Sequence, residues 1–306
     1  MDTSNRFRGC LLGLATGDAV GTTVEFESRG SFPALTDMIG GGPFNLKPGE
    51  WTDDTSMALC LATSLVELGS FDPRDQMERY WNWYQHGYLS SNGYCFDIGT
   101  TIRKSLQWYK ETGNPYSGSS DSDSAGNGSI MRLAPVAIYY YPDREKVLHF
   151  SAESSRTTHG ATVCLEACCL LGDILFRGLG GANKQEILFG TDPDLLISRS
   201  IQEIARGEYQ NKSIGDIQGT GYVVKSLEAA LWCFWKANSF EEAILMAANL
   251  GDDADTTAAV CGQVAGAFYG ETGIPRRWLE RLVMSEEIRR LADRLCENQT
   301  PDIAGG

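Results

Sequence analysis

The sequence predicts an all-α fold, and three features carry that prediction. Apolar residues recur at three- and four-residue spacing through most of the chain, alternating strand patterns closed by tight turns are nearly absent, and several periodic stretches stop at a glycine. The predicted helices run, in order, through "TSMALCLATSLVELG" (55–69), "PRDQMERYWNWYQHG" (73–87), "TTIRKSLQWYKETG" (100–113) and "ATVCLEACCLLGDILFRG" (161–178). They continue through "GYVVKSLEAALWCFWKA" (221–237), "SFEEAILMAANLG" (239–251) and "DTTAAVCGQVAGAFYG" (255–270). "SFEEA" places its acids in the first turn, where the helix dipole favours them, and "SEEIRRLADRLCEN" closes the series as an amphipathic helix. The best strand candidate is the short stretch "PVAIYYYPD" (135–143). Two irregular regions interrupt the pattern: the Gly/Pro loop "GGGPFNLKPGEWTDD" (40–54) and "TGNPYSGSSDSDSAGNGSIMR" (112–132). The first part of the latter suits a surface loop, while "AGNGSIMRLAP" reads as a glycine-rich turn feeding a helix. With no fixed-period repeat and no convincing linker, residues 1–306 are expected to form one compact domain.

Composition narrows the function classes. The chain has 42% hydrophobic residues, enough for a large core, but no uninterrupted apolar run of the length a membrane span needs. Its opening, "MDTSNRFRGCLLGLATGDAVG", lacks the basic region of a signal peptide and is expected to be mature structure. Nine cysteines form no C-x-x-C pair; Cys60, Cys164, Cys168 and Cys169 lie in apolar helical segments and read as small core residues of a reducing, cytoplasmic compartment. Only three histidines are present, too few for a histidine-rich metal site. A formal net charge of −14 argues against nucleic acid as a partner. It would also repel a phosphate ester unless cations were bound.

Two acidic clusters then stand out, "EWTDDTSMALCLATSL" and "NLGDDADTTAAVCGQVAGAFYG", about 200 positions apart. Each opens an apolar helix, so capping by Asp or Thr explains one or two of the acids. It does not explain the mirrored pattern of T-D-D and D-x-D-T. Thr52, Asp53, Asp54, Asp253, Asp255 and Thr256 offer only carboxylate and hydroxyl oxygens, the donors preferred by Mg²⁺, Mn²⁺ or Ca²⁺. Four carboxylates in one place repel, and two divalent cations would balance them. Successive residues of a regular helix fan apart by about 100°, so Thr52–Asp54 can converge only in the turn that "PGEWTDDTS" supplies.

With these clusters the chain resembles the ADP-ribosylglycohydrolases, closest to the bacterial members that release ADP-ribose from an arginine of dinitrogenase reductase. Matching motifs follow one order through nearly the whole chain: "GLATGDAVGTTVEF" (13–26), "LKPGEWTDDTSMAL" (46–59), "FDIGTTIRKSL" (96–106), "AGNGSIMRLAP" (125–135), "SSRTTHGAT" (154–162), "GYVVKSLEAALW" (221–232) and "GDDADTTAAVCGQVAGAFYG" (251–270). The resemblance implies an orthogonal helical bundle with a central cleft holding two Mg²⁺ or Mn²⁺ ions. Thr52, Asp53 and Asp54 would grip them from one side and Asp253, Asp255 and Thr256 from the other. The substrate would be an ADP-ribosylated protein, arginine-linked by preference, and the product ADP-ribose. Asp252 occupies a position where a glycine usually stands in this family, and its side chain is expected to be solvated.

Hydrolysis of the ribose C1″ bond builds positive charge on the sugar and needs an activated water and a proton donor or acceptor. The resemblance makes Asp97 the first candidate for that role, its alternative being an N-cap for the helix starting near Gly99. Glu25 is the second, its alternative being a buried ion-pair partner. Gly99, Gly126, Asn127, Gly128 and Ser129 are expected to contact the substrate, the "AGNGS" turn through backbone N–H groups suited to a diphosphate. His159 would lie against phosphate or ribose unless it is a structural hydrogen-bonder. Tyr222 would flank adenine or ribose unless it is an ordinary core aromatic. Two rival readings fit the same clusters. All-α prenyl-transferring enzymes also use paired aspartate-rich segments, but no Arg or Lys follows either cluster within ten residues to grip a diphosphate. A non-hydrolytic ADP-ribose-binding or immunity protein would carry the same site.

Overall fold

The computed structural model describes residues 2–297, and the last residue of the closing predicted helix, Asn298, lies outside them. Among the described residues the chain is all-α. Its helices are α1 (Thr3–Gly21), α2 (Asp53–Leu68), α3 (Pro73–His86), α4 (Thr100–Thr112), α5 (Ala134–Tyr140), α6 (Arg144–Arg156) and α7 (Thr162–Gly180). They continue as α8 (Lys184–Phe189), α9 (Arg199–Ala205), α10 (Val223–Lys236), α11 (Phe240–Ala248), α12 (Ala254–Tyr269), α13 (Arg276–Arg281) and α14 (Ser285–Glu297). The only β-pairing among these residues is three isolated bridges. No described helix is long and apolar enough to cross a membrane.

Helix boundaries follow local chemistry. Gly69, Gly87, Gly113 and Gly181 end α2, α3, α4 and α7 in left-handed conformation, φ +67°, +67°, +71° and +85°. Asp72 caps α3 by accepting from the N–H groups of Arg74 and Asp75, with Pro73 in the first turn. In "SFEEA", Ser239 accepts from the Glu242 N–H to open α11. The best strand candidate, 135–143, is helical in keeping with the all-α prediction: Ala134–Tyr140 is helix α5. Pro135 suits a first helical turn, and burial of Val136, Ala137 and Ile138 against neighbouring helices overrides the strand preference of the β-branched and aromatic residues.

The centre of the molecule is the pair α1 and α12. Both run through the core, and they touch backbone to backbone at every fourth residue. A β-carbon at Gly9, Gly13, Gly17 or Gly21 would lie 2.4, 2.3, 2.1 or 2.4 Å from the carbonyl oxygens of Gly266, Gly262, Ala258 and Ala254. The small residues of "DTTAAVCGQVAGAFYG" therefore let two helices approach without side chains between them. That approach fixes the N-terminus of α12 beside the C-terminal half of α1. All nine cysteines are unpaired; Cys10, Cys60, Cys164, Cys168, Cys233 and Cys261 are buried, and Cys95, Cys169 and Cys296 are half-buried.

Candidate active site

Asp18 of α1 organises the first acidic cluster. Its Oδ1 accepts from the Thr52 N–H at 2.8 Å and the Thr52 hydroxyl at 2.9 Å, and its Oδ2 from the Thr55 N–H at 3.0 Å and hydroxyl at 2.6 Å. Two of the free N–H groups at the start of α2, those of Thr52 and Thr55, are thus satisfied by a residue from another helix. Thr52 and Asp253, the N-cap residues of α2 and α12, make no side-chain capping bond. Capping is therefore not what the two clusters are for. Their side chains turn toward each other instead. Thr52 Oγ1 lies 3.1 Å from Asp255 Oδ2, and Thr256 Oγ1 donates to Asp54 Oδ2 at 3.2 Å.

Glu25 and Asp97 complete the cluster. Glu25 follows the short 3₁₀ turn after α1, and Asp97 adopts a left-handed backbone, φ +60°, ahead of Gly99, which is the N-cap residue of α4. Asp97 is not a helix cap. One oxygen each from Glu25, Asp97 and Asp255 lie within 4.8 Å of one another. Burial, then the charges of Asp97 and Asp253, pushes Glu25 up to about 10. Burial raises Asp97 to about 7 and Asp18 to about 6, against the lowering effect of their hydrogen bonds. Asp53, Asp54 and Asp255 are raised well above the carboxylate range, first by burial and then by neighbouring carboxylates.

Whether this donor set fits a cation can be judged from its own unmet demands. None of Glu25, Asp53, Asp54, Asp97, Asp253 and Asp255 forms a salt bridge among the described residues. Asp54 Oδ1 and Asp255 Oδ1 are buried with no hydrogen-bond partner. Buried, unpaired carboxylate oxygens are costly, and a hard divalent cation is the partner such a set accommodates. The acidic group could hold a metal.

The cluster opens into a cavity of about 360 Å³ lined by Glu25, Phe26, Asp53, Asp97, Gly99, Gly126, Asn127, Gly128, His159, Asp253, Asp255 and Thr256 among others. Of the expected substrate contacts, Ser129 is buried and Tyr222 is exposed at the N-cap of α10; neither lines this cavity. Tyr222 is no core aromatic, and its backbone pairs with Gly126. Asn127 has both amide protons committed, to Asp253 Oδ2 at 3.0 Å and Ser226 Oγ at 3.2 Å, so it ties the glycine turn to the second acidic cluster. Gly128 has no room for a side chain, because a β-carbon would lie 2.8 Å from His159 Cε1 and 2.9 Å from Ile102 Cδ1.

Behind that turn lies Arg132, completely buried. It donates to the Gly128 carbonyl at 2.9 Å, the Ser154 carbonyl at 3.2 Å, the Thr157 hydroxyl at 3.2 Å and the Thr158 hydroxyl at 2.8 Å, and stacks 4.8 Å over the Tyr80 ring. Thr158 Oγ1 is 2.9 Å from His159 Nδ1. That hydroxyl also accepts from Arg132, so the pair ties the imidazole to the buried guanidinium; where the hydroxyl gives its own proton to Nδ1, the imidazole proton sits on Nε2, the nitrogen nearest Gly126. Burial, then the Arg132 charge, lowers His159 to about 3, so the ring is a neutral donor. Sequence reasoning passed over Asp18 and Arg132. An ionisable residue inside the apolar and small-residue stretches "GLATGDAVG" and "GSIMRLAP" was the available signal.

Comparison with known proteins accords with this geometry. The family model described as "ADP-ribosylglycohydrolase" matches residues 1–304. "ADP-ribosylarginine hydrolase Tri1" of Pseudomonas putida (strain GB-1) is 47% identical over 293 residues, covering 96% of this chain and 78% of that protein. "ADP-ribosyl-[dinitrogen reductase] glycohydrolase" of Rhodospirillum rubrum is 32% identical, with 95% of each chain covered. A solved structure titled "ADP-ribosylglycohydrolase-related protein complex" superimposes with a TM-score of 0.86 at 42% identity, over 97% of this chain and 99% of that one. This chain belongs to the ADP-ribosylglycohydrolase family.

Proposed function

We propose that the protein hydrolyses the C1″ glycosidic bond of ADP-ribosylated arginine side chains and releases ADP-ribose. The observation that carries this is the meeting of Thr52 and Asp54 with Asp255 and Thr256, next to the Glu25–Asp97–Asp255 group. Two similar proteins are named for ADP-ribosylarginine or dinitrogen reductase substrates, which supports arginine as the acceptor. The site fits two divalent cations, Mg²⁺ or Mn²⁺, held by Thr52, Asp53, Asp54, Asp253, Asp255 and Thr256. When bound, such ions neutralise the clustered carboxylates and polarise the oxygens they touch.

The chain's own residues then have distinct tasks. Asp97, grouped with Glu25 and Asp255 so that one oxygen of each lies within 4.8 Å of the others, is placed to take up or release a proton beside the reacting bond. Glu25 is the second acid of this group, buried beside Asp97 and Asp255. The Gly126 N–H is committed to the Ser124 carbonyl at 2.9 Å, so the diphosphate would meet Gly128 and His159 across the cavity wall that this turn forms, with Tyr222 exposed beside it. One domain over 1–306 fits the contiguous core, and nine unpaired cysteines fit a reducing, cytoplasmic compartment.

The test is a panel of ADP-ribosylated arginine, serine and acidic peptides incubated with magnesium, manganese or chelator, with Asp97→Asn in parallel. Release of ADP-ribose from the arginine peptide, abolished by chelator and by Asp97→Asn, is the expected result. Equal and negligible release by wild type and Asp97→Asn, with ADP-ribose still bound, would instead identify a binding protein.

A further inference from the structure

Phe26 lies directly after Glu25 and lines the same cavity, yet the residue is 68% exposed and its backbone is left-handed, φ +64°. A bulky aromatic residue rarely adopts that conformation. Core packing gives no compensation for it, since the ring is in solvent. Phe26 belongs to a short aromatic wall: its ring meets that of Phe44 edge-on at 6.4 Å, and Phe44 meets Phe96 at 5.1 Å. Phe96 immediately precedes Asp97. Each acid assigned to the proton transfer is therefore next in the chain to a phenylalanine, and Phe44 joins the two rings.

We infer that this wall, through the face of Phe26, recognises the guanidinium and aliphatic stem of the departing arginine, an assignment that rests on the hydrolase function proposed above. Chemistry favours this occupant. The leaving group is a cation beside the reacting bond, and the nearby carboxylates are committed to divalent cations and to the proton transfer. A ring face attracts a planar cation without competing for those oxygens. Backbone strain holds the ring in this position: the Phe26 N–H donates to the Asp252 carbonyl at 2.7 Å, so residue 26 cannot relax without breaking the contact between the Glu25 segment and the second acidic cluster.

The test compares wild type, Phe26→Leu and Phe26→Tyr for KM and kcat on an ADP-ribosylated arginine peptide, with the Kd for free ADP-ribose, which lacks the guanidinium, as reference. All three side chains carry similar backbone strain at position 26, so folding is matched and is checked by thermal melting. In Phe26→Leu the ratio of KM to that Kd rises about tenfold, equivalent to about 1.4 kcal/mol, while Phe26→Tyr stays within about twofold of wild type. A ratio within about twofold in Phe26→Leu, or an equal rise in Phe26→Tyr, overturns the role of the ring face. Should wild type leave the arginine linkage intact while cleaving another, the acceptor assignment itself fails, and the Phe26 inference fails with it.

Discussion

Phe26 and Asp252, 226 positions apart, are joined as a pair of left-handed residues, φ +64° and +56°. The Phe26 N–H donates to the Asp252 carbonyl at 2.7 Å, and the Asp252 N–H donates to the Glu27 carbonyl at 2.8 Å. This clip seats Glu25 against the Asp253 turn. The backbone at 252 is one that glycine adopts without cost and that Asp adopts under strain. The Asp252 side chain is exposed, as expected. Asp252→Gly should change stability by less than about 1 kcal/mol and kcat/KM by less than about twofold. Denaturant melts and steady-state kinetics check both, and a large loss of activity would put the Asp252 carboxylate in the reaction.

Asp255 sits among like charges, with one oxygen lacking any partner. Asp255→Asn should raise the melting temperature of the chelated protein, most at high pH, because asparagine stays neutral among these carboxylates without having to hold a proton. The same change should weaken manganese binding by at least about tenfold. Calorimetric titration with Mn²⁺ and melting in chelator measure the two effects. A variant less stable in chelator than wild type would contradict the mutual repulsion of the cluster.

The same repulsion sets a pH dependence. Asp18 and Asp97 have folded-state values of about 6 and about 7, above the ordinary 3.8, so the folded chain holds these protons more tightly than the unfolded one. Their stabilising contribution is complete below the ordinary value and is lost as pH rises through 6 and 7. Melting temperatures in chelator should therefore fall between about pH 5 and 8. Manganese affinity should rise over that interval, since binding requires the deprotonated acids. A flat melting profile in chelator would show that these carboxyls are not perturbed.

Gly17 lies where a β-carbon would be 2.1 Å from the Ala258 carbonyl oxygen. Gly17→Ala should destabilise by about 1–3 kcal/mol, although alanine is the better helix former, because α1 and α12 must separate. Urea denaturation measures it. A stabilised variant would mean that the two helices are not in backbone contact.

Thr158 orients His159 through a single hydroxyl that Arg132 also uses. Thr158→Val should free Nδ1 to carry the proton and reduce ADP-ribose affinity by about fivefold to tenfold. The tautomer change is visible in the ¹⁵N shifts of the imidazole, a readout that loss of stability alone does not move. An unchanged Nε2–H tautomer would remove Thr158 from the assignment.

Asp18→Ala would leave the Thr52 and Thr55 N–H groups unsatisfied inside the protein, at a cost of about 2–4 kcal/mol. Manganese titration should weaken with it, because the Thr52–Asp54 turn loses its anchor. Stability equal to wild type would show that water or another group replaces Asp18.

Much of this molecule was legible in its sequence. Apolar periodicity marked the long helices, and glycines marked the ends of α2, α3, α4 and α7, because these signals are local and the backbone obeys them locally. The paired clusters were legible too, since hard-oxygen donors repeated as T-D-D and D-x-D-T exceed what capping needs. Local preference failed at α5, where a strand-like run was bent to helix by the core around it. It was also silent on Asp18 and Arg132, whose partners lie on other segments.

The sequence by itself determined the kind of fold, the donor chemistry of the site and the family to which the chain belongs. Only the tertiary structure decided which oxygens face one another, that His159 is tied through Thr158 to Arg132, and that Phe26 is strained toward solvent beside Glu25. The physical reason is distance along the chain. Periodicity and capping act over a few residues, whereas these relations depend on α1 and α12 closing backbone to backbone, which no single stretch of residues encodes.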